Sequence, residues 1–159
     1  MIATLAMVGC GLPPDRSVQS GRVTAVLDGD TIAVAGVGAV RYLGIDTPEL
    51  HHPRKPVERF AVRAAAMNRQ LVAGRTVRLE TDVEQRDAYG RLLAYVYVGD
   101  VMVNARLVAT GMAEAYPFAP NTLHREMFAR LEREAMRLRR GQWGPAEGGP
   151  PWGRADRTE

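Results

Sequence analysis

The chain has 159 residues, is 46% hydrophobic and 25% charged, and carries a formal net charge of +3. That size and composition predict one globular domain with its own core, and the mild basic excess permits a nucleic-acid partner without demonstrating one. A single cysteine, Cys10, excludes an intrachain disulfide and a cysteine-based zinc site, and the absence of any apolar run of about 18 residues predicts no transmembrane helix. No internal repeat is visible.

Residues 1–9 are apolar and small and run into Cys10, like the tail of a bacterial lipoprotein signal whose cysteine would be lipidated. No Lys or Arg precedes the run, which is short for a signal core. The pattern predicts an exported or envelope-anchored protein; the competing reading is an apolar N-terminus with an incidental cysteine. Residues 11–20, with Pro13, Pro14, Ser17 and Ser20, read as a linker, so the folded domain is expected to begin at Gly21.

Strands follow. Residues 22–27 alternate, with Val23, Ala25 and Leu27 on one side and Val26 on the other. Asp28-Gly29-Asp30-Thr31 reads as a tight turn in which Gly29 supplies an unusual φ. Residues 31–35 resume a strand, and Gly36-Val37-Gly38 turns into a third over 40–45. Three short strands joined by tight turns predict a closed or nearly closed antiparallel barrel.

The third strand runs into Arg41-Tyr42-Leu43-Gly44-Ile45-Asp46-Thr47-Pro48-Glu49, where Pro48 breaks the ladder. The strand presents a guanidinium and the turn two carboxylates. Hard cations take carboxylate and backbone oxygens, a guanidinium fits a phosphate bidentately, and a carboxylate can accept a proton from water. These are the parts of a metal-assisted phosphodiester cleavage. On this stretch alone, a strand end with ordinary surface charges is an equal reading.

Residues 50–56 read as an exposed loop; adjacent His51 and His52 cannot readily converge on one ion. A helix is predicted over 57–72 with the core stripe Phe60, Ala64, Met67 and Leu71, ended by Gly74. Residues 75–81 and 91–98 are strands, joined by a polar connection that closes in Asp87-Ala88-Tyr89-Gly90. Tyr95 and Tyr97 read as barrel core or surface. A short helix over 103–110 ends at Gly111, and 112–120 form an extended loop with Tyr116 and Phe118. Asn121 is the expected cap of a last helix over 122–140, whose stripe is Leu123, Met127, Leu131, Ala135 and Leu138. Its arginines read as a solvated face and His124 as structural. Residues 144–159, rich in Gly and Pro, are expected to be a disordered tail.

Four motifs occur in order: Asp28-Gly29-Asp30-Thr31; Arg41-x-Leu43-x-x-Asp46-Thr47-Pro48-Glu49; Asp87-x-Tyr89-Gly90-Arg91-x-Leu93-Ala94-Tyr95; and Val103-Asn104-x-x-Leu107-Val108-x-x-Gly111. Together they resemble the thermonuclease, or staphylococcal-nuclease-like, family over residues 21–143. The resemblance implies an α+β, mainly β fold, a five-stranded OB-type barrel with three helices. It implies a Ca²⁺-dependent, monomeric nuclease that hydrolyses DNA and RNA and leaves 3′-phosphates. It further implies Asp30, Asp46 and the carbonyl of Thr47 as Ca²⁺ ligands, Glu49 as general base, and Arg41 and Arg91 as phosphate clamps. Tyr89 matches the residue that bonds the terminal phosphate, and Tyr116 the one that packs on the nucleoside. Asp28 reads as a turn residue behind the ligands.

The chain departs from the pattern in places. Phe118 stands where a second tyrosine is expected and keeps a stacking face without the hydroxyl. Ala88 replaces a commonly basic residue, and Pro56 a glycine. These departures bear on substrate preference rather than on the catalytic set. Three classes are compatible with the motifs: an active nuclease, a non-catalytic nucleic-acid-binding barrel, and an envelope protein that binds Ca²⁺ structurally. The full set Asp30, Arg41, Asp46, Glu49 and Arg91 favours the first.

Overall fold

The structure, a computed structural model of the chain, describes residues 17–50 and 60–145. Cys10 and the signal-like run, the His51–His52 loop with Pro56, and the tail from residue 146 lie outside the described residues.

Eleven residues form β1 (Val18–Asp28), so the strand begins inside the segment read as linker. Its first half pairs antiparallel with β5 (Thr76–Glu80) and its second half with β2 (Thr31–Val34). One strand serves two walls because its register slips between Val23 and Ala25 and again between Val26 and Asp28. Such irregularities bend a strand and reverse its in-out alternation. That reversal overturns the simple alternation expected here: Val23 is buried, Val26 packs on the core, and Ala25 and Leu27 face solvent.

Next, β2 pairs antiparallel with β3 (Gly38–Tyr42), and β5 with β6 (Leu92–Val98). The barrel closes where β3 pairs parallel with β6, Val40 opposite Leu92 and Tyr42 opposite Ala94. The result is the expected five-stranded OB-type barrel. Short β7 (Val101–Met102) folds back and pairs antiparallel with the end of β6, while β4 (Ile45–Asp46) and β8 (Glu114–Ala115) form a separate two-stranded ladder. Ile32, Val40, Val77, Leu79, Leu92, Ala94 and Val96 fill the core.

Three α-helices cover the barrel: α1 (Ala61–Val72), α2 (Val103–Ala109) and α3 (Arg125–Arg137). None is long and apolar enough to cross a membrane. Among the described residues α1 starts after Phe60, held at φ 71° with the Arg63 guanidinium 5.1 Å from its ring centre. Its buried side is Ala61, Ala64, Ala65, Asn68 and Val72, while Met67 and Leu71 pack only partly. The expected stripe is thus rotated, and small alanines let the helix approach the barrel.

In α3 the buried residues are Phe128 and Ala135; Leu123 and Leu138 of the expected stripe are exposed. Phe128 stacks on Gly44, whose φ of +74° and 2.5 Å approach to the ring (measured from where a Cβ would sit) admit only glycine. His124 packs edge-on against Tyr95, ring centres 4.5 Å apart. Buried Tyr95 donates its hydroxyl to Asp82 Oδ2 at 3.2 Å and belongs to the core; Tyr97 lies half-buried under the Arg78 guanidinium.

The motif residue Asn104 is fully buried between β6 and the end of β3. Its Oδ1 accepts the Val96 N–H at 2.9 Å and its Nδ2 donates to the Leu43 carbonyl at 2.9 Å. Asn104→Ala leaves both backbone groups without that partner and is expected to cost about 1–3 kcal/mol. Urea unfolding checks it: the midpoint should fall with the slope unchanged.

Candidate active site

The site grows from the β1–β2 turn. Gly29 does not take a left-handed φ, contrary to the expectation from sequence. Its reason is space: a Cβ there would lie 2.6 Å from Thr47 Oγ1 and 3.0 Å from Ala64 Cβ. This close approach seats Thr47 against the turn. Asp30 Oδ2 accepts both the Thr47 N–H and the Thr47 hydroxyl at 2.9 Å, and Oδ1 accepts the Thr31 hydroxyl at 3.1 Å. Asp30 is only 5% exposed, so its charge demands such partners.

The cationic partner is Arg41 on β3. Its Nη1 lies 2.7 Å from Asp30 Oδ2 and donates to the Ile45 carbonyl at 3.2 Å; its Nη2 lies 2.6 Å from Asp46 Oδ1. One planar guanidinium thus joins two carboxylates, one from the β1–β2 turn and one from β4. Asp46 is held above the ordinary carboxylate range: burial is the largest cause, Arg41 opposes it, and the nearby charges of Asp30 and Glu49 add to it.

Arg91 stands at the start of β6, fastened from behind. Asp87 Oδ2 accepts its Nε at 2.7 Å, and Asp87 Oδ1 accepts the N–H groups of Tyr89 and Arg91 at 3.0 Å each. Burial alone would raise the Asp87 carboxyl; the Arg91 guanidinium and these N–H groups outweigh it and hold it below its ordinary value. Its turn is closed by Gly90 at φ +80°.

Two cavities meet at the arginines. One of about 200 Å³ is lined by Asp28, Asp30, Thr31, Arg41, Asp46, Thr47, Glu49 and Arg91. The other, of about 420 Å³, is lined by Arg41, Arg91, Leu93, Tyr89, Tyr116, Phe118 and Asn121 among others. Every site residue expected from sequence therefore lines one cavity or the other. Tyr89, Tyr116 and Phe118 are 87%, 57% and 60% exposed, so their ring faces are available for stacking. Among the described residues no three His, Cys, Asp or Glu side chains are grouped as a ready metal cage. The donors at the acid cavity are all oxygens, which suit a hard divalent ion and not zinc.

Sequence reasoning missed the supports. Asn121 does not cap α3: its Oδ1 accepts the Glu84 N–H at 2.8 Å and its Nδ2 donates to the Glu84 carbonyl at 2.9 Å, clamping the wall of the larger cavity. Nothing in the sequence signals that pairing. Asp87 could have been found, because it stands four residues before Arg91 in a turn.

A pocket of carboxylates and guanidiniums beside exposed rings suits a polyanion with flat bases. A family model described as staphylococcal nuclease homologue matches residues 39–145. The chain is 36% identical over 128 residues to the thermonuclease of Staphylococcus hyicus, spanning 79% of this chain and 76% of that one. It is 38% identical over 128 residues to the thermonuclease of Staphylococcus intermedius, with the same shares of 79% and 76%. Identity reaches 42% over 122 residues with the SPbeta prophage-derived endonuclease YokF of Bacillus subtilis, 74% of this chain and 41% of that one. The chain belongs to the staphylococcal nuclease homologue family and is a nuclease, a hydrolase acting on nucleic acid.

Asp87→Ala is expected to lower activity about 10- to 100-fold, the usual effect of freeing a functional side chain from its support. It also carries a pH signature. A carboxylate whose folded pKa is depressed stabilises the fold above its unfolded pKa, and that contribution disappears as pH falls through the folded value. The stability gap between wild type and Asp87→Ala, read by denaturant melts, should be open at neutral pH and close in acid.

Proposed function

We propose that this nuclease is Ca²⁺-dependent, acts on DNA and RNA with little sequence preference, and leaves 3′-phosphate ends. The observation that supports it most is the placement of Arg41, which binds both carboxylates of the acid cavity and also borders the aromatic one. A phosphate at that border would meet two guanidiniums, with the acids on one side and the stacking rings on the other.

In this reading Asp30, Asp46 and the Thr47 carbonyl hold Ca²⁺. When bound, the ion supplies positive charge against the charge that develops on the scissile phosphate. Glu49, exposed at the rim of the same cavity, orients the attacking water and takes its proton. As the water oxygen bonds to phosphorus the P–O5′ bond breaks; the phosphate stays on the 3′ side, and the 5′ oxygen leaves as a hydroxyl with a proton from solvent. Arg41 and Arg91 bind the phosphate oxygens through planar forks and stabilise the transition state. Tyr89 bonds the terminal phosphate, while Tyr116 and Phe118 stack on the nucleoside. Stacking contributes about 1–3 kcal/mol per base whatever the base, which accounts for low sequence preference. The enzyme works as a monomer, with residues 21–143 as its nuclease domain. Export, with lipidation at Cys10 as the tether, rests on the sequence pattern of residues 1–10.

Two measurements test the reading. Single-stranded DNA should be degraded with Ca²⁺, poorly with Mg²⁺ and not in chelator, because few protein ligands on turns suit the irregular geometry of Ca²⁺ better than the strict octahedron of Mg²⁺. Equal turnover in both metals, or full turnover in chelator, would sink it. Glu49→Gln keeps size and hydrogen bonding but removes the base; kcat should fall about 10²–10⁴-fold with nucleotide affinity within a few fold. Near-normal kcat would remove Glu49 from the role.

A further inference from the structure

Asn68 is the one polar side chain on the buried side of α1. It faces the core from α1, is fully buried, and has Ala64, Ala65 and Val72 as buried neighbours on the same helix. A buried amide without partners is costly, so its contacts reveal its purpose. Its Oδ1 accepts the hydroxyl of Tyr42 at 2.8 Å, and its Nδ2 donates to the carbonyl of Asp28 at 3.0 Å. Tyr42 in turn donates its backbone N–H to the carbonyl of Asp30 at 2.9 Å.

These bonds form a closed circuit: Asp28 carbonyl, Asn68 amide, Tyr42 hydroxyl, Tyr42 N–H, Asp30 carbonyl. Both ends of the Asp28-Gly29-Asp30 turn are thereby tied to one side-chain pair. The circuit has a fixed direction. The Tyr42 hydroxyl donates to Asn68. The Asn68 oxygen must then accept, which turns its NH₂ toward the Asp28 carbonyl. An apolar pair of similar volume would fill the same space without needing an oriented bond.

We propose that Tyr42 and Asn68 are positioning residues for the active site, fixing where the Asp30 carboxylate stands relative to Arg41 and Thr47. The proposal rests on the function argued above. Tyr42 is the immediate neighbour of Arg41 on β3, and the turn it holds carries Asp30, so one circuit sets both partners of the 2.7 Å ion pair. Catalytic geometry is sensitive at this scale, since a shift of about 1 Å can cost about 10²-fold in rate.

The test compares kcat, KM and the Ca²⁺ dissociation constant, the last by calorimetry without nucleic acid, in Asn68→Ala, Tyr42→Phe and the double variant. All are assayed well below their own melting temperatures. Val77→Ala, on the β5 wall away from the site, controls for lost stability. Asn68→Ala should lower kcat about 10- to 100-fold and weaken Ca²⁺, with KM changed by no more than about threefold. Tyr42→Phe should show a smaller loss, because Asn68 still donates to Asp28, and the double variant should be no worse than Asn68→Ala. Val77→Ala should keep its kcat.

Wild-type kcat and Ca²⁺ affinity in Asn68→Ala would overturn the proposal, as would an equal fall of kcat in Val77→Ala. Where Asn68→Ala does not fold, Tyr42→Phe, which removes a single oxygen, decides: wild-type kcat and Ca²⁺ affinity there overturn it. Glu49→Gln, run alongside, separates the two failures. If it is inactive while Asn68→Ala is normal, the circuit alone falls; if it too is fully active, Glu49 alone loses its role, and full wild-type turnover in chelator is the result that removes the metal site and takes the circuit with it.

Discussion

The parallel pairing of β3 with β6 is the constraint on which the active site depends. Antiparallel hairpins alone would leave the sheet open, and β3 and β6 would each have an unpaired edge. Closure sets Arg41 between two neighbours, with Thr31 opposite it on β2 and Leu93 opposite it on β6. Thr31 follows Asp30 and Leu93 follows Arg91 by two residues. An acid and two arginines, spread over 62 positions of sequence from Asp30 to Arg91, are therefore brought together by the ends of three adjacent strands. Side chains carried on strand ends are held more firmly than side chains on free loops, which suits chemistry that depends on fixed charges.

Charge is arranged there with little slack. The acid cavity contains four carboxylates, Asp28, Asp30, Asp46 and Glu49, and two guanidiniums. Burial first, and then the nearby charges of Asp30 and Glu49, oppose ionisation of Asp46. Arg41 offsets part of this by lying between Asp30 and Asp46. A lysine could neutralise one of them as a point charge, but only the planar fork reaches both while its geometry stays fixed. Arg91 is treated differently. It is tied through Nε to Asp87, which fixes the plane of the guanidinium without using its terminal nitrogens.

Much of this was legible in the sequence, for identifiable reasons. The five barrel strands, the three helices and the turn glycines at 36, 38, 74 and 111 follow from local chemistry, and the glycines do take positive φ. The residues lining the cavities are legible only through the four motifs taken together: the stretch from Arg41 to Glu49 alone reads equally well as surface charge, and Arg91, Tyr89, Tyr116 and Phe118 are pointed out by the family resemblance. What escaped was whatever depends on a distant neighbour. The bends in β1 reverse its alternation because the strand must serve two walls, which residues 18–28 alone do not reveal. Gly29 is small because Thr47 and Ala64 crowd it, and both come from elsewhere in the chain. The stripe of α3 shifts to Phe128 because Gly44, far away in sequence, offers the ring a seat.

The same explanation covers the asparagines, and it says why the barrel can open a cavity at one end without losing order. Where strands part to make room for substrate, backbone groups lose ladder partners, and buried ones cannot be left without them. An asparagine side chain carries one carbonyl and one NH₂, the two functions of a peptide group. Asn104 supplies them where β3 leaves β6, to Val96 and Leu43. Asn121 supplies both to Glu84 at the wall of the aromatic cavity. Asn68 donates to Asp28 beneath the acid cavity and passes its acceptor to Tyr42. All three are buried, at 0%, 1% and 0% exposure for Asn104, Asn121 and Asn68. Each stands in for a missing segment of backbone, so the barrel ends its ladders early at the points where the cavities begin.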